Sequence, residues 1–483
     1  MNEIYRFRRI ENLLGKHQEL AKQQIYFASP DQLNDPMEGY RDIFWKGDQI
    51  VWENFLINYL RCVSRIFFLY LLLGESKKLT ADDLPLNSYG NIYETPQSLA
   101  LFRKIKTAFF KHKFISNLSD LLSKRGAPIR RRELSSYLSF VQHYAINTVS
   151  QIYYQEGFSK ERLFYHELPE MEKYISRSHI YIKLINRLEK KLVGNTNSAD
   201  LIFSIADQIR KQQQLAVKYN EMTAEHLNSN VYFLTMELPD SFLDKLETIM
   251  YSNWYSASFL GNCTNSAIWG HYADNHRGVC LIFSPEQNEG QPTLNLDTIY
   301  GYNGAPMSGL RPHLFQKVEY HHQHVAIDFF RSLGRAPLFQ LNHFWYQNDR
   351  GQMSICAADI KTDKWHNEYW GNFQKAYSVK LEEWSYEEEY RLVINDMLHD
   401  YTDPCNRTLT YDFSQLKGII FGMKTSIADK QQIIKIIRQK CITQKREQFD
   451  FYEAYYNQLT GKIDKFKLNL FGKIDLNSTD GNR

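Results

Sequence analysis

Cysteine is scarce in this chain of 483 residues, and its six copies, Cys62, Cys263, Cys280, Cys356, Cys405 and Cys441, form no Cys-x-x-Cys pair and no dense framework. This spacing excludes a disulfide scaffold and the common zinc modules, and it suits reduced thiols in a cytosol. No Gly-rich phosphate loop, Ser-centred nucleophile elbow or His-Glu-x-x-His occurs, which sets aside NTPase, Ser-hydrolase and zinc-protease chemistry. His321-His322-Gln323-His324 has no Asp, Glu or Cys at a ligand spacing, so it reads as a solvated helix face and no metal site is expected. Long apolar runs are also missing. The most apolar stretch, residues 66–73, follows Arg61 and Arg65 and is far shorter than the roughly 20 residues a bilayer requires. It predicts a buried or partner-facing helix and no membrane span. The N-terminus opens with Glu3, Arg6, Arg8, Arg9 and Glu11 rather than a basic and then apolar run, so no signal peptide is expected and the location is read as cytoplasmic. A net charge of +3 is too small for the whole surface to bind nucleic acid; only a local cluster could do so.

What is present describes a globular protein. Hydrophobic residues at 43% and charged residues at 23% argue against wholesale disorder. At roughly 150 residues per domain, the length predicts two or three units, one of which can be an insertion. Aromatics reach 14%, mainly 32 Tyr and 30 Phe, and they suit a core, an interface or stacking on bases or nicotinamide alike.

Along the chain, Ile4-Tyr5-Arg6-Phe7 alternates like a strand, residues 10–24 carry apolar side chains at helical spacing, and residues 25–29 read as a second strand. Ser29-Pro30-Asp31-Gln32-Leu33-Asn34-Asp35-Pro36 is rich in residues that bond their own backbone, which predicts an ordered turn. Helical patterns follow over 52–73, 97–122, 134–154, 171–192 and 199–227. From Val231 onward the texture becomes β-rich, with strands expected over 231–234, 254–260, 278–283, 377–381, 390–394 and 418–421. A helix over 427–441 is capped by Ser426, and the tail after Lys462 is expected to fray. The expected organisation is an α+β domain built from both chain ends, residues 1–44 and 228–483, interrupted by an all-α insertion, residues 45–227.

Three segments carry a resemblance. Tyr5-Arg6 followed by Tyr26 to Glu38, then Trp269-Gly270-His271-Tyr272-Ala273-Asp274, then Trp384-Ser385-Tyr386-Glu387-Glu388-Glu389-Tyr390-Arg391 resemble, in order and spacing, the bacterial family called domain of unknown function 2971. The resemblance covers roughly residues 1–42 and 250–425. That family is similar to abortive-infection proteins and, more remotely, to ADP-ribosyltransferases, in which an early strand supplies Arg or His, a middle strand Ser or Tyr, and a late strand begins with a catalytic Glu. The resemblance implies a mixed split β-sheet of the ADP-ribosyltransferase type, NAD as substrate, and a toxin-like effector of antiviral defence that transfers ADP-ribose to a macromolecule.

The residues allow the same chemistry. Two apart at the start of a strand, Glu387 and Glu389 share a face. A carboxylate there stabilises positive charge on the anomeric carbon of NAD, as in other oxocarbenium-like reactions; Glu389 is assigned that role and Glu387 that of general base. Arg6 offers a planar fork to phosphate or ribose, with Tyr5, Ser29, Asn34, Asp35, Trp269, His271 and Tyr272 around the cofactor. Ser29 is not in a Ser-Thr-Ser triplet. The plainer readings are an acidic edge paired with Arg391, a core place for Trp269 and Tyr272, and turn-satisfying roles for Asn34 and Asp35.

Between Arg103 and Arg132 lie ten basic residues, among them Lys111, Lys113, Arg130, Arg131 and Arg132, with Phe109, Phe110 and Phe114 interleaved and Asp120 the only acid. This pattern fits either nucleic-acid contact or a solvated basic face. The insertion is also where a regulatory protein or a second copy of the chain would dock. Two further functions stay open beside the enzyme: a non-catalytic nucleotide- or nucleic-acid-binding module, and an interaction protein of a defence system.

Overall fold

A computed structural model describes residues 2–86, 95–164, 168–191, 197–223, 229–360 and 362–476. The chain is mixed α+β and forms two compact units. Met1–Tyr40, Asn253–Val325 and Phe373–Arg483 make the first; Arg41–Ser252 and Ala326–Asn372 make the second. The first keeps both chain ends. The second takes, beside the expected helical stretch 45–227, residues 41–44, 228–252 and 326–372.

An eight-stranded sheet organises the first unit, in the order Gln316–Lys317, Glu389–Asn395, Trp254–Leu260, Ile4–Arg8, Val279–Phe283, Leu416–Phe421, Asp450–Asn457, Lys462–Lys467. Neighbours run antiparallel except Leu416–Phe421 and Asp450–Asn457, which are parallel. Apolar side chains leave both faces of the sheet, as a sheet covered on both sides demands. Ile4, Phe259, Leu281, Phe283 and Ile419 meet Ile433 and Ile437 of the helix Ile427–Thr443 on one face. Phe7, Leu260, Cys280, Ile282 and Ile420 meet Ile268 and Trp269 on the other. Burying one such side chain contributes about 1.5–3 kcal/mol.

In the second unit, Gln49–Leu73, Pro96–Lys111, Arg131–Gln155, Leu168–Lys191 and Asn197–Thr223 are the long helices. Asp48 caps the first, its carboxylate accepting from the amides of Ile50 and Val51 at 3.1 and 3.2 Å. By length and composition this helix could cross a membrane. Its Trp52, Phe55, Tyr59, Ile66 and Phe67 are instead buried inside the unit, so packing accounts for the apolar run.

Several expectations need correction. Residues 231–234 are not a strand: Ser229–Tyr232 and the wide turn Phe233–Glu237 run into the helix Leu238–Glu247. Tyr232, Phe233 and Leu234 of this run join Leu238, Phe242 and Leu246 at helical spacing, and these six are buried. The helix expected over 10–24 breaks into Ile10–Leu14 and Glu19–Lys22, with Gln18 left-handed at φ 52°. That over 97–122 breaks at His112 and Asn117. The second strand is only Gln24–Tyr26, paired with Thr408–Thr410. The tail forms the strand Lys462–Lys467, whose partner Asp450–Asn457 holds it; residues 477–483 lie outside the described residues, as do residue 192 of the helix expected over 171–192 and residues 224–227 of that expected over 199–227. His321 ends a short strand, Glu319–His321, rather than lying on a helix.

Candidate functional site

The strand Glu389–Asn395 is preceded by a tight turn, Glu382–Glu387, and by Glu388 in the left-handed conformation at φ 48°. Strand alternation therefore does not unite Glu387 and Glu389, because only Glu389 lies on the strand. Lys380 does so instead. Its Nζ lies 2.8 Å from Glu387 Oε2 and 3.3 Å from Glu389 Oε2. Arg391 adds a second cation. Its Nε and Nη2 donate to the two oxygens of Glu389 at 2.8 and 2.9 Å, its Nη1 and Nη2 to those of Glu38 at 2.6 and 3.0 Å, and its Nη1 also to the carbonyl of Tyr377 at 2.9 Å. The Tyr320 hydroxyl accepts the amide of Glu389 at 2.9 Å. The Tyr272 hydroxyl donates to Glu387 Oε1 at 2.5 Å.

All five charged side chains are closed off from solvent. Three carboxylates face two cations, so the cluster holds one excess negative charge. Burial pushes Glu389 up, but the Arg391 guanidinium and the Lys380 ammonium outweigh it and bring its pKa down to about 2. Burial pulls Lys380 down, and Glu389 and Glu387 more than restore it, so its pKa ends raised. Burial, then the Glu387 carboxylate, raises Tyr272, which keeps its phenol proton as a donor. At the edge of the cluster, Lys380 Nζ stands 4.5 Å from the centre of the Trp384 ring.

Of the residues expected around a cofactor, Tyr272 joins this cluster, and Asn34, exposed in its loop, hydrogen-bonds to Tyr272. Asp35 accepts the amide of Met37 at 2.9 Å, satisfying its own turn. Ser29 starts the Pro30–Gln32 turn, its amide donating to Gln32 Oε1 at 3.2 Å. Ser29 follows Ala28, which bridges Ser256 opposite Val393, and four residues of strand, about 13 Å, separate Val393 from Glu389. Trp269 is a core residue: it is fully buried, its Nε1 donates to the carbonyl of Cys263 at 2.8 Å, and its ring meets Phe7 edge-on. His271 is exposed at the end of the helix Ser266–Tyr272.

Arg6 and Glu389 occupy opposite faces of the sheet. Tyr5 pairs with Leu260, which pairs with Glu389, and cross-strand partners share a face; Arg6, one residue on, points the other way. There its guanidinium sits 5.1 Å from the Phe259 ring and donates to the carbonyls of Ser258 and Tyr26 at 3.3 and 3.5 Å. Tyr5, on the same face as Glu389 but separated from it by Leu260, donates to Glu3 at 2.8 Å. Sequence reasoning missed Lys380, Glu38 and Tyr320 and treated Arg391 only as a surface partner. Glu38 and Arg391 lie inside the segments that carry the resemblance; Lys380 gave no signal beyond a lone cation between Val379 and Leu381.

In the second unit, six of the ten basic residues between Arg103 and Arg132 have acidic partners: Lys104 with Glu156, Lys106 with Asp349, Lys124 with Asp120, Arg125 with Glu133, Arg130 with Asp42, and Arg131 with Asp244 and Glu247. Lys111, Lys113 and Arg132 are exposed. Among the described residues, no group of three or more His, Cys, Asp or Glu could hold a metal ion.

Residues 268–392 match the family model described as protein of unknown function (DUF2971). The match contains the Trp269 and Glu389 segments; the N-terminal segment lies outside it. No curated protein and no solved structure matches the chain.

Proposed function

For this chain, which carries a domain of the DUF2971 family, we propose an NAD-consuming, ADP-ribosyltransferase-like enzyme that serves as a bacterial defence effector and transfers ADP-ribose to a macromolecule. The observation that carries this reading is the buried carboxylate cluster at the head of the strand Glu389–Asn395, fixed by two cations and still one negative charge in excess. When the bond to nicotinamide breaks, positive charge develops on the anomeric carbon. A rigid, desolvated negative site stabilises that charge without reorganising. Glu389, clamped by Arg391, is the positioning carboxylate. Glu387 acts outward through the hydroxyl of half-buried Tyr272 and takes the proton of the acceptor. Asn34 and Trp384 flank that hydroxyl and the Lys380 ammonium as the ligand-facing groups.

The fold is proposed as ADP-ribosyltransferase-like on related grounds. The early strand Ile4–Arg8, the middle strand Trp254–Leu260 and the late strand Glu389–Asn395 are direct neighbours, and the late one begins with Glu389. Tyr5, rather than Arg6, is the early-strand side chain on the Glu389 face.

The test is nicotinamide release and label transfer from adenine-labelled NAD in a bacterial lysate, for wild type, Glu387→Gln and Tyr272→Phe, each first shown to be folded at the assay temperature. Release that disappears in Glu387→Gln supports the enzyme, and the labelled fraction identifies the acceptor. Equal release from wild type and Glu387→Gln overturns the assignment. The near-complete enclosure of Glu389 and Arg391 favours a second reading, a non-catalytic nucleotide-binding module, for which NAD would raise the melting temperature with no release.

A further inference from the structure

The second unit contains a cavity of about 280 Å³ that the proposed chemistry does not use. Arg61 and Arg65, one turn apart on the helix Gln49–Leu73, line it together with the rings of Phe68, Phe102, Tyr153 and Phe158. The start of the helix Pro96–Lys111 contributes its cap Thr95, with Gln97 and Ser98; the Thr95 and Ser98 hydroxyls accept each other's amides at 3.1 and 3.3 Å. Guanidinium forks and the positive end of a 16-residue helix both favour an anion with several acceptor oxygens, and phosphate fits that demand best.

Two further features point to a ligand rather than to self-satisfied polar groups. The buried Nε of Arg61 finds no acceptor among the described residues, although one Nη of the same side chain donates to Asn58 Oδ1 at 2.8 Å. Phe158 is 58% exposed at the cavity wall, an aromatic face left to the solvent beside two cations. Rings next to a phosphate-seeking end match a molecule with a flat base at one end and a phosphate at the other. The volume decides the size class: ligand pockets span roughly 300–1,000 Å³, and this one, at about 280 Å³, falls just below that span, too small for a dinucleotide such as NAD.

We propose that this cavity is a binding site for a nucleoside monophosphate, with Arg61 and Arg65 on the phosphate and Phe158 against the base. It lies wholly within the second unit, so its occupant is a second small molecule that the effector senses, distinct from the substrate of the carboxylate cluster.

The test is titration of the full-length protein with AMP, GMP, CMP and UMP by calorimetry, beside the parent nucleosides. Arg65→Glu is the diagnostic variant, because Arg65 is exposed and its replacement leaves the packing intact; Arg61 packs against the Phe344 and Phe102 rings and is left unchanged. At least one monophosphate should bind, at least tenfold more tightly than its nucleoside. Arg65→Glu should weaken it at least tenfold with an unchanged unliganded melting temperature, and Phe158→Ala should weaken nucleoside and monophosphate alike. No binding by any of the four at millimolar concentration, or equal binding by wild type and Arg65→Glu, overturns the proposal.

Discussion

Arg391 grips Glu389 through two parallel hydrogen bonds, Nε to Oε1 at 2.8 Å and Nη2 to Oε2 at 2.9 Å, and both side chains are sealed from solvent. The same guanidinium holds Glu38, so it ties the loop after the Pro30–Gln32 turn to the head of the late strand. Arg391→Leu strands two buried carboxylates with Lys380 as their only cation in the cluster. Removing one partner of a buried pair costs about 3–5 kcal/mol, and that is the expected loss in urea unfolding. A loss under about 1 kcal/mol, the range of exposed pairs, would mean the cluster is solvated in solution.

The acid limb of stability follows from the same pair. Glu389 has its folded pKa lowered from 4.5 to about 2, so its contribution is complete above the ordinary value and drains away as pH falls through the interval between them. Wild type should therefore lose stability on acidification from about pH 4.5 to about 2. In Arg391→Leu only Lys380 is left to oppose burial at Glu389, so its pKa rises and this acid-induced loss should shrink or change sign. Parallel acid titrations of the two proteins would refute the assignment.

Activity should separate the two carboxylates. Glu387→Gln removes the general base, which typically contributes at least about a hundredfold, and nicotinamide release should fall by that much or more. Tyr272→Phe removes the hydroxyl through which Glu387 reaches the acceptor, so release should fall about as far as in Glu387→Gln, by about a hundredfold or more. Glu389→Gln should fail differently: it breaks the two-bond clamp with Arg391 as well as the Lys380 contact, so its unfolding midpoint should fall further than that of Glu387→Gln, which loses the Lys380 pair alone. Equal midpoints for Glu387→Gln and Glu389→Gln would place both carboxylates in the same role.

The sheet was legible in the sequence where local pattern and tertiary demand agree. Trp254–Leu260 and Val279–Phe283 are apolar almost throughout and lie buried in the sheet. Val231 to Leu234 was not legible, since a short buried apolar run looks the same whether it is strand or helix. The meeting of Glu387 and Glu389 was anticipated for a reason that does not hold: the left-handed Glu388 and Lys380, on the preceding strand Val379–Leu381, unite them, not strand period. Lys380 could not be foreseen, because nothing in Val379-Lys380-Leu381 says that its ammonium turns inward. The side of the sheet taken by Arg6 was knowable only once its strand register against Leu260 was set.

The basic run between Arg103 and Arg132 should bind polyanions weakly. Its composition suggested a phosphate-gripping surface, yet six of its ten cations are already engaged by acids of their own unit. A cation held by a carboxylate must give up that partner before it displaces a counterion from DNA. With only four cations outside these pairs, each releasing about 0.9 counterion, the slope of log affinity against log salt should be no steeper than roughly −3.6. Fluorescence anisotropy with duplex DNA across a salt series measures it, and Lys111→Glu with Arg132→Glu should flatten it by roughly two counterions. A slope steeper than about −6 would mean that the internal pairs open on binding, and would return this segment to the nucleic-acid contact its composition allows.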